Sequence, residues 1–191
     1  MKNHLKWIIP LAFIISANSI IPAYYFQNGV LCILGVIGTW AFGVINVVMA
    51  IYYGKKKDKD ALLLGGTMIK SMMITLYIII FFLALAFVAM FTFLTGPFSI
   101  LTTIPAIIVD IFILIVSSSY MLSYLIVEFI ETRKVSNIIQ CILQFIYVID
   151  VFDMLYICFF KAKKYRILAL LSTIIATAIP FLMIWLSSYK I

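Results

Sequence analysis

Six apolar segments alternate along the chain with short polar or turn-forming stretches. Each segment has about 20 residues or more, which is enough to cross the roughly 30 Å hydrocarbon core of a bilayer as an α-helix. The stretches between them carry most of the charges and the Asn-Gly and Gly-Pro pairs that end helices. The pattern predicts an all-α fold, a polytopic transmembrane helix bundle forming a single membrane domain over residues 1–191. The predicted segments cover residues 5–25, 30–53, 62–94, 98–127, 137–160 and 167–187.

The composition points to lipid as the solvent of these helices. Of the 191 residues, 66% are hydrophobic and 11% are charged, whereas about a quarter of a typical soluble domain is charged. The net charge is +7, and the basic residues cluster at the ends of apolar segments. Membrane proteins keep Lys and Arg there on the cytoplasmic side, against anionic lipid. The lipid bilayer, and not nucleic acid, is therefore the predicted partner.

The distribution of basic residues predicts a cytoplasmic N-terminus, with the cluster 55–59 on the same side. Segment 137–160 leaves two topologies open. If it crosses, ten Lys and Arg residues lie inside and four lie outside; if it is re-entrant or interfacial, the ratio is thirteen to one. Asp150 and Asp153 would each cost about 3 kcal/mol at mid-membrane, although 24 residues are long enough to cross. We favour five crossings plus one re-entrant or interfacial helix, with six crossings as the alternative.

A line of polar residues runs along segment 98–127 and just beyond it. Its members recur every seven residues, nearly two helical turns, and so share one helix face. Such a stripe is expected to face the bundle interior or a wet cavity. One interpretation is a solute or proton path with Asp110 as the charge-carrying site; the other is a neutral carboxyl hydrogen-bonded to a neighbouring helix. The line consists of Thr103, Asp110, Ser117, Tyr124 and Glu131.

A second polar stripe occupies segment 137–160. Its two carboxyls, three residues apart, could bind a cation together or share a proton. They could equally cap a bend or pair with the lysines at 161–164. For Lys70, near the start of the third segment, the sequence predicts a side chain that snorkels to the surface or pairs with Glu128 or Glu131. The stripe consists of Asn137, Gln140, Gln144, Tyr147, Asp150 and Asp153.

The sequence contains one further candidate packing face and few residues suited to catalysis or metal binding. Gly35, Thr39 and Gly43 recur every four residues, a pattern for close helix contact either within the chain or with another membrane protein. The only histidine is His4, and the three cysteines are widely spaced. We therefore predict no catalytic residue, no metal site, no bound cofactor and no enzymatic activity.

Three stretches resemble a known group of sequences. The chain is similar there to a family of small, uncharacterised multi-pass proteins from low-GC Gram-positive bacteria. The resemblance implies a location in the bacterial cytoplasmic membrane and no mechanism. The stretches are Met68-Ile69-Lys70 leading to Leu76-Tyr77-Ile78, Asp110 leading to Ser117-Ser118-Ser119-Tyr120, and residues 144–150.

Two functions remain after these exclusions. The first is a non-enzymatic accessory subunit that packs against another membrane protein or against a second copy of itself, supported by the small-residue faces. The second is a small solute or proton-coupled permease that works through Asp110 with Asp150 and Asp153. The polar line through the middle of segment 98–127 supports this alternative.

Overall fold

The computed structural model describes residues 5–25, 27–95, 99–146 and 149–188, although most side chains between 79 and 103 lie outside the described part. Over these ranges the chain is helical and has no strand. Within the described residues, four helices are long and apolar enough to cross a membrane, namely the first four. The helices are α1 (Leu5–Tyr25), α2 (Gly29–Lys55), α3 (Lys59–Thr95), α4 (Ser99–Thr132), α5 (Ser136–Leu143), α6 (Ile149–Tyr156) and α7 (Arg166–Ser188), with a π-helical turn at Ile157–Lys161.

Local signals set the ends of the first three helices. The predicted turn at Asn28 is a helix cap, because its side-chain oxygen accepts a hydrogen bond from the Leu31 N–H at 3.1 Å. After α2 the chain reverses through Lys57, whose φ of 54° is left-handed. Asp58 then accepts a hydrogen bond from the Ala61 N–H at 3.0 Å. The same residue types that end apolar segments in the sequence therefore open and close the helices.

Ion pairs gather the start of α1, the α2–α3 turn, the end of α4 and the start of α7 at one end of the bundle, which we call the charged end. Each of these pairs joins two different elements or the turns next to them. The helices α1 to α4 therefore run alternately away from this end and back to it, and α7 leaves from it. The pairs are Lys6–Asp58 at 2.8 Å, Lys59–Glu128 at 2.5 Å, Lys59–Glu131 at 2.6 Å and Lys164–Asp60 at 2.5 Å.

Two pKa shifts follow from these contacts. Partial burial pushes the pKa of the Asp58 carboxyl upwards, but hydrogen bonds from Lys6 and from the Ala61 N–H outweigh it, so that this pKa lies below its usual value. Burial raises the pKa of the Tyr165 hydroxyl, which also donates a hydrogen bond to Asp60 at 2.7 Å. Asp58 and Asp60 therefore act as anions that tie neighbouring turns together.

Close helix contacts account for the small residues of α2. A Cβ on Gly43 would stand 2.6 Å from the Phe112 ring of α4, and one on Gly35 would stand 2.9 Å from Ser19 and Ile20 of α1. Thr39, between them, is also buried. The predicted packing face thus lies inside the molecule, where it lets α2 approach two neighbouring helices.

Segment 137–160 is not the single helix that its length suggests. It consists of α5, a turn at 144–146, and α6 with its π-helical turn, which together form a hairpin over residues 136–161. The Lys161 ammonium donates a hydrogen bond to the Asn137 side-chain oxygen at 2.5 Å. In a continuous helix these two residues would stand about 36 Å apart. The hairpin therefore leaves the charged end and returns to it.

Hydrogen bonds between polar side chains join the two arms of the hairpin, from Gln140 to Asp153 and from Lys161 to Asn137. Asn137, Gln140, Asp150 and Asp153 are buried toward the bundle. The opposite face of the hairpin exposes large apolar side chains. The exposed residues on that face include Ile138, Ile142, Phe145, Ile149, Phe152 and Phe160.

Candidate functional site

A fully buried ion pair joins α3 to the hairpin. The Lys70 Nζ lies 2.6 Å from the Asp150 Oδ2, and neither side chain has any exposed surface. Both expectations for Lys70 were wrong: its side chain does not snorkel to the surface, and Lys59 is the residue that pairs with Glu128 and Glu131. The reason is the hairpin, which brings a carboxylate to Lys70 within the bundle.

Helix α4 also contacts the ion pair, through Ser118. The Lys70 Nζ lies 3.5 Å from the Ser118 Oγ, and this hydroxyl donates a hydrogen bond to the Gln144 carbonyl oxygen at 2.7 Å. Gln144 is the first residue of the hairpin turn. Ser118 therefore fixes the tip of the hairpin beside Lys70, and the backbone of the turn gains a hydrogen bond that no helix supplies there.

The second carboxylate of the hairpin is held by amides. Asp153 accepts a hydrogen bond from the Gln140 Nε2 at 3.1 Å on one oxygen, and a hydrogen bond from the Gln144 side-chain amide on the other. The Gln140 side-chain oxygen in turn accepts a hydrogen bond from Lys161 at 2.8 Å. Asp150 and Asp153 thus have different hydrogen-bond partners, a cation for Asp150 and two amides for Asp153.

Two acceptor atoms in this network have no hydrogen-bond partner among the described residues. They are the Asp150 Oδ1 and the Gln144 Oε1, and both residues are fully buried. A buried acceptor without a donor costs about 1–3 kcal/mol. Such atoms are suited to accept a proton or a hydrogen bond from a mobile group, and that capacity is the chemistry that the site offers.

Two cavities lie on opposite sides of the ion pair along the bundle. One, of about 460 Å³, opens between the hairpin and the turn after α4, and Asp153 and Lys161 line it. The other, of about 410 Å³, lies between α1, α3 and α7, and Met72 and Thr75 line it. On α3 these two residues follow Lys70 by two and five positions, so the second cavity begins within two helical turns of the pair.

Only part of the polar line predicted on α4 is buried near the ion pair. Ser117 is buried and accepts a hydrogen bond from the Tyr77 hydroxyl, and Tyr124 is also buried. Asp110 is partly exposed and precedes Ser118 by eight residues on α4, about 12 Å along the helix axis. The side chain of Thr103 lies outside the described residues. The structure therefore centres its buried charges on Lys70 and Asp150, and not on Asp110.

Reasoning from the sequence considered Lys70 and Lys161 but gave them other partners, and it did not single out Ser118 as a site residue. The position of Lys70 could have indicated a buried partner. Its ammonium lies eleven residues, about 16 Å, from the start of an apolar helix, where a charged group needs a partner. Ser118 stands next to Ser117 but off the seven-residue line. Lys161 was among the lysines predicted to pair with Asp150 or Asp153, and in the structure it donates hydrogen bonds to Asn137 and Gln140 within the hairpin.

The described residues contain no group of three or more His, Cys, Asp or Glu side chains that could hold a metal ion. The buried thiol of Cys158 lies 3.2 Å from the Thr67 hydroxyl, so it packs the π-helical turn against α3. No protein-family model matches the chain, and neither a curated protein nor a solved structure does.

Proposed function

We propose that the chain is a multi-pass membrane protein with five crossings, α1 to α4 and α7, and that the hairpin is re-entrant. The charged end then faces the cytoplasm, and thirteen of the 14 Lys and Arg residues lie on that side or within the membrane near it. The apolar outer face of the hairpin supports this placement, because it suits contact with acyl chains. Irregular backbone at membrane depth needs hydrogen-bond partners from the protein, and the Ser118 hydroxyl supplies one to the Gln144 carbonyl in the hairpin turn.

We further propose that the protein is a small proton-coupled permease in which Lys70, Asp150 and Asp153 carry the charge. The single observation behind this proposal is the Lys70–Asp150 pair, which is fully buried eleven residues, about 16 Å, along α3 from the charged end. Burying an ion pair is expensive and seldom improves stability. Ionisable groups within membrane helices characteristically mark ion and proton routes.

The arrangement around the pair fits such a route. The cavity at the charged end reaches Asp153, and the cavity on the far side begins at Met72 and Thr75. A proton that binds the free Asp150 oxygen would neutralise this carboxylate and release the Lys70 ammonium from it. Loss of the ion pair would free the hairpin tip from α3, and this release is the conformational step that a carrier requires.

The accessory-subunit hypothesis stays a prediction. The small residues of α2 were its main support, but Gly35 and Gly43 pack against α1 and α4 within the chain. They therefore offer no surface to a second protein.

A pH step tests the permease proposal without knowledge of the solute. Purified protein in proteoliposomes on a solid-supported membrane is expected to give a transient charge displacement when the external pH changes, because protons reach the buried carboxylate. Asp150→Asn removes the titrating group and is expected to abolish the current. Glu131→Gln, at the exposed rim of the charged end, serves as the control and is expected to retain it. Wild-type protein without any displacement above that of empty liposomes would contradict the proposal.

A further inference from the structure

The cavity at the charged end presents one negative and one positive group on either side of a single amide. Asp153 accepts a hydrogen bond from the Gln140 nitrogen at 3.1 Å, and Lys161 donates one to the Gln140 oxygen at 2.8 Å. All three residues line the cavity. The carboxylate and the ammonium therefore stand one amide group apart and face the same space.

The remaining lining defines the rest of a ligand. Lys134 adds a second positive charge at the mouth, next to Ser136 in the first turn of α5. Ile139, Leu143 and Tyr156 form the apolar wall. The cavity is an open groove of about 460 Å³, since Ile139 and Tyr156 in its wall are 56% and 53% exposed, and it combines an apolar wall with a few convergent polar groups, as small-molecule sites do.

We infer that this cavity binds a small zwitterion, whose ammonium contacts Asp153 and whose anionic group contacts Lys161 and Lys134, with an apolar substituent against Ile139 and Tyr156. A plain cation would meet the two lysines, and a plain anion would meet Asp153, so neither matches the whole cavity. The inference rests on the proposed permease and gives its substrate class. Two sources carry this chemistry: a free α-amino acid and the phosphoethanolamine headgroup of a lipid.

Binding to the reconstituted protein tests the inference. In nanodiscs of phosphatidylcholine alone, L-leucine is expected to bind in isothermal titration calorimetry. The analogues 4-methylpentanoate and 3-methylbutylamine, which each lack one of the charges, are expected to bind about tenfold more weakly or worse, because each loses a charge-assisted hydrogen bond. If the natural ligand is a lipid headgroup, O-phosphoethanolamine binds more tightly than leucine, and phosphatidylethanolamine in the nanodisc competes with both. No binding of either zwitterion, or equal binding of a singly charged analogue, would overturn the inference.

Lysine variants distinguish a loss of ligand binding at the cavity from a loss of folding. Lys134→Met removes an exposed lysine at the mouth, which leaves the core intact, and is expected to weaken leucine binding by about tenfold. Lys161→Met is expected to weaken it further. Lys163→Met, in the same turn but outside the lining, is the matched control and is expected to bind as wild type does. Because the pH-step current needs no zwitterion, its presence without leucine or phosphoethanolamine binding would overturn this inference alone and leave the permease proposal standing.

Discussion

Lys70→Met is expected to lower the free energy of unfolding by about 3–5 kcal/mol, because it leaves the Asp150 carboxylate buried without its cation. Asp150→Leu is expected to have a comparable effect, since it leaves the Lys70 ammonium alone. The double variant replaces the ion pair by two apolar side chains of similar size. It is expected to recover most of the loss, because neither charge is then buried. Unfolding of the purified protein in detergent, followed by circular dichroism, measures all three.

The coupling free energy between Lys70→Met and Asp150→Leu shows whether the two side chains interact. Lys59→Met serves as the control, because Lys59 is partly exposed at the charged end, and it is expected to cost less than about 1 kcal/mol. If the effects of Lys70→Met and Asp150→Leu simply add in the double variant, the two residues do not interact as the structure shows.

Gly65→Ala is expected to destabilise the bundle by about 1–3 kcal/mol. A Cβ at Gly65 on α3 would stand 2.6 Å from the Tyr120 ring of α4. Tyr120 is only 1% exposed and therefore has no space to move aside. The added methyl group must separate α3 from α4, the two helices that hold Lys70 and Ser118.

Gly54→Ala is the matched control for this prediction. It also adds a methyl group to a helical glycine, but the nearest atom, on Ser123, lies at an ordinary 3.4 Å. Alanine favours the helix over glycine, so this variant is expected to be neutral or more stable by up to about 1 kcal/mol. Equal melting temperatures for Gly65→Ala and Gly54→Ala would show that α3 and α4 do not approach as closely as described.

The long helices were predictable because length and apolarity alone define them. The predicted segments 5–25 and 30–53 coincide with α1 and α2 to within two residues, and α3 and α4 begin or end a few residues beyond their predictions. Those extensions carry Lys59, Glu128 and Glu131, whose ion pairs hold the helix ends together. A hydropathy profile cannot predict such ion pairs, because it scores each charged residue without regard to its partner.

The hairpin and the site could be predicted only in part. The polar stripe of 137–160 was visible, and four of its described members are buried together with Asp153. The break at 144–146 was not visible, because no Pro or Gly marks it; contacts from Ser118 and Lys70 make it favourable. A partner on α3, some eighty residues away, has no signature in the local pattern.

The seven-residue line on α4 shows the limit of periodicity. Ser117 and Tyr124 on this line are buried, yet the line gives Asp110 a central role, whereas the buried ion pair forms at Lys70. The periodicity of a sequence indicates which residues share a helix face. Which helix packs against that face depends on the tertiary arrangement of the whole bundle. Tertiary contacts, and not the stripe itself, therefore select the charged residues of the site.

The side of the membrane on which Lys163 lies tests the five-crossing topology most directly. Single cysteines are introduced at three sites after the three native cysteines have been replaced by alanine, and intact cells are treated with a membrane-impermeant maleimide. The introduced sites are Asn28, Lys57 and Lys163; the replaced cysteines are Cys32, Cys141 and Cys158.

A re-entrant hairpin predicts that the cysteine at 28 is labelled in intact cells, whereas those at 57 and 163 are labelled only after permeabilisation. Labelling at 163 in intact cells, with 57 still protected, would mean that residues 137–160 cross the membrane. That result would contradict the hairpin and, with it, the ion pair between Lys70 and Asp150.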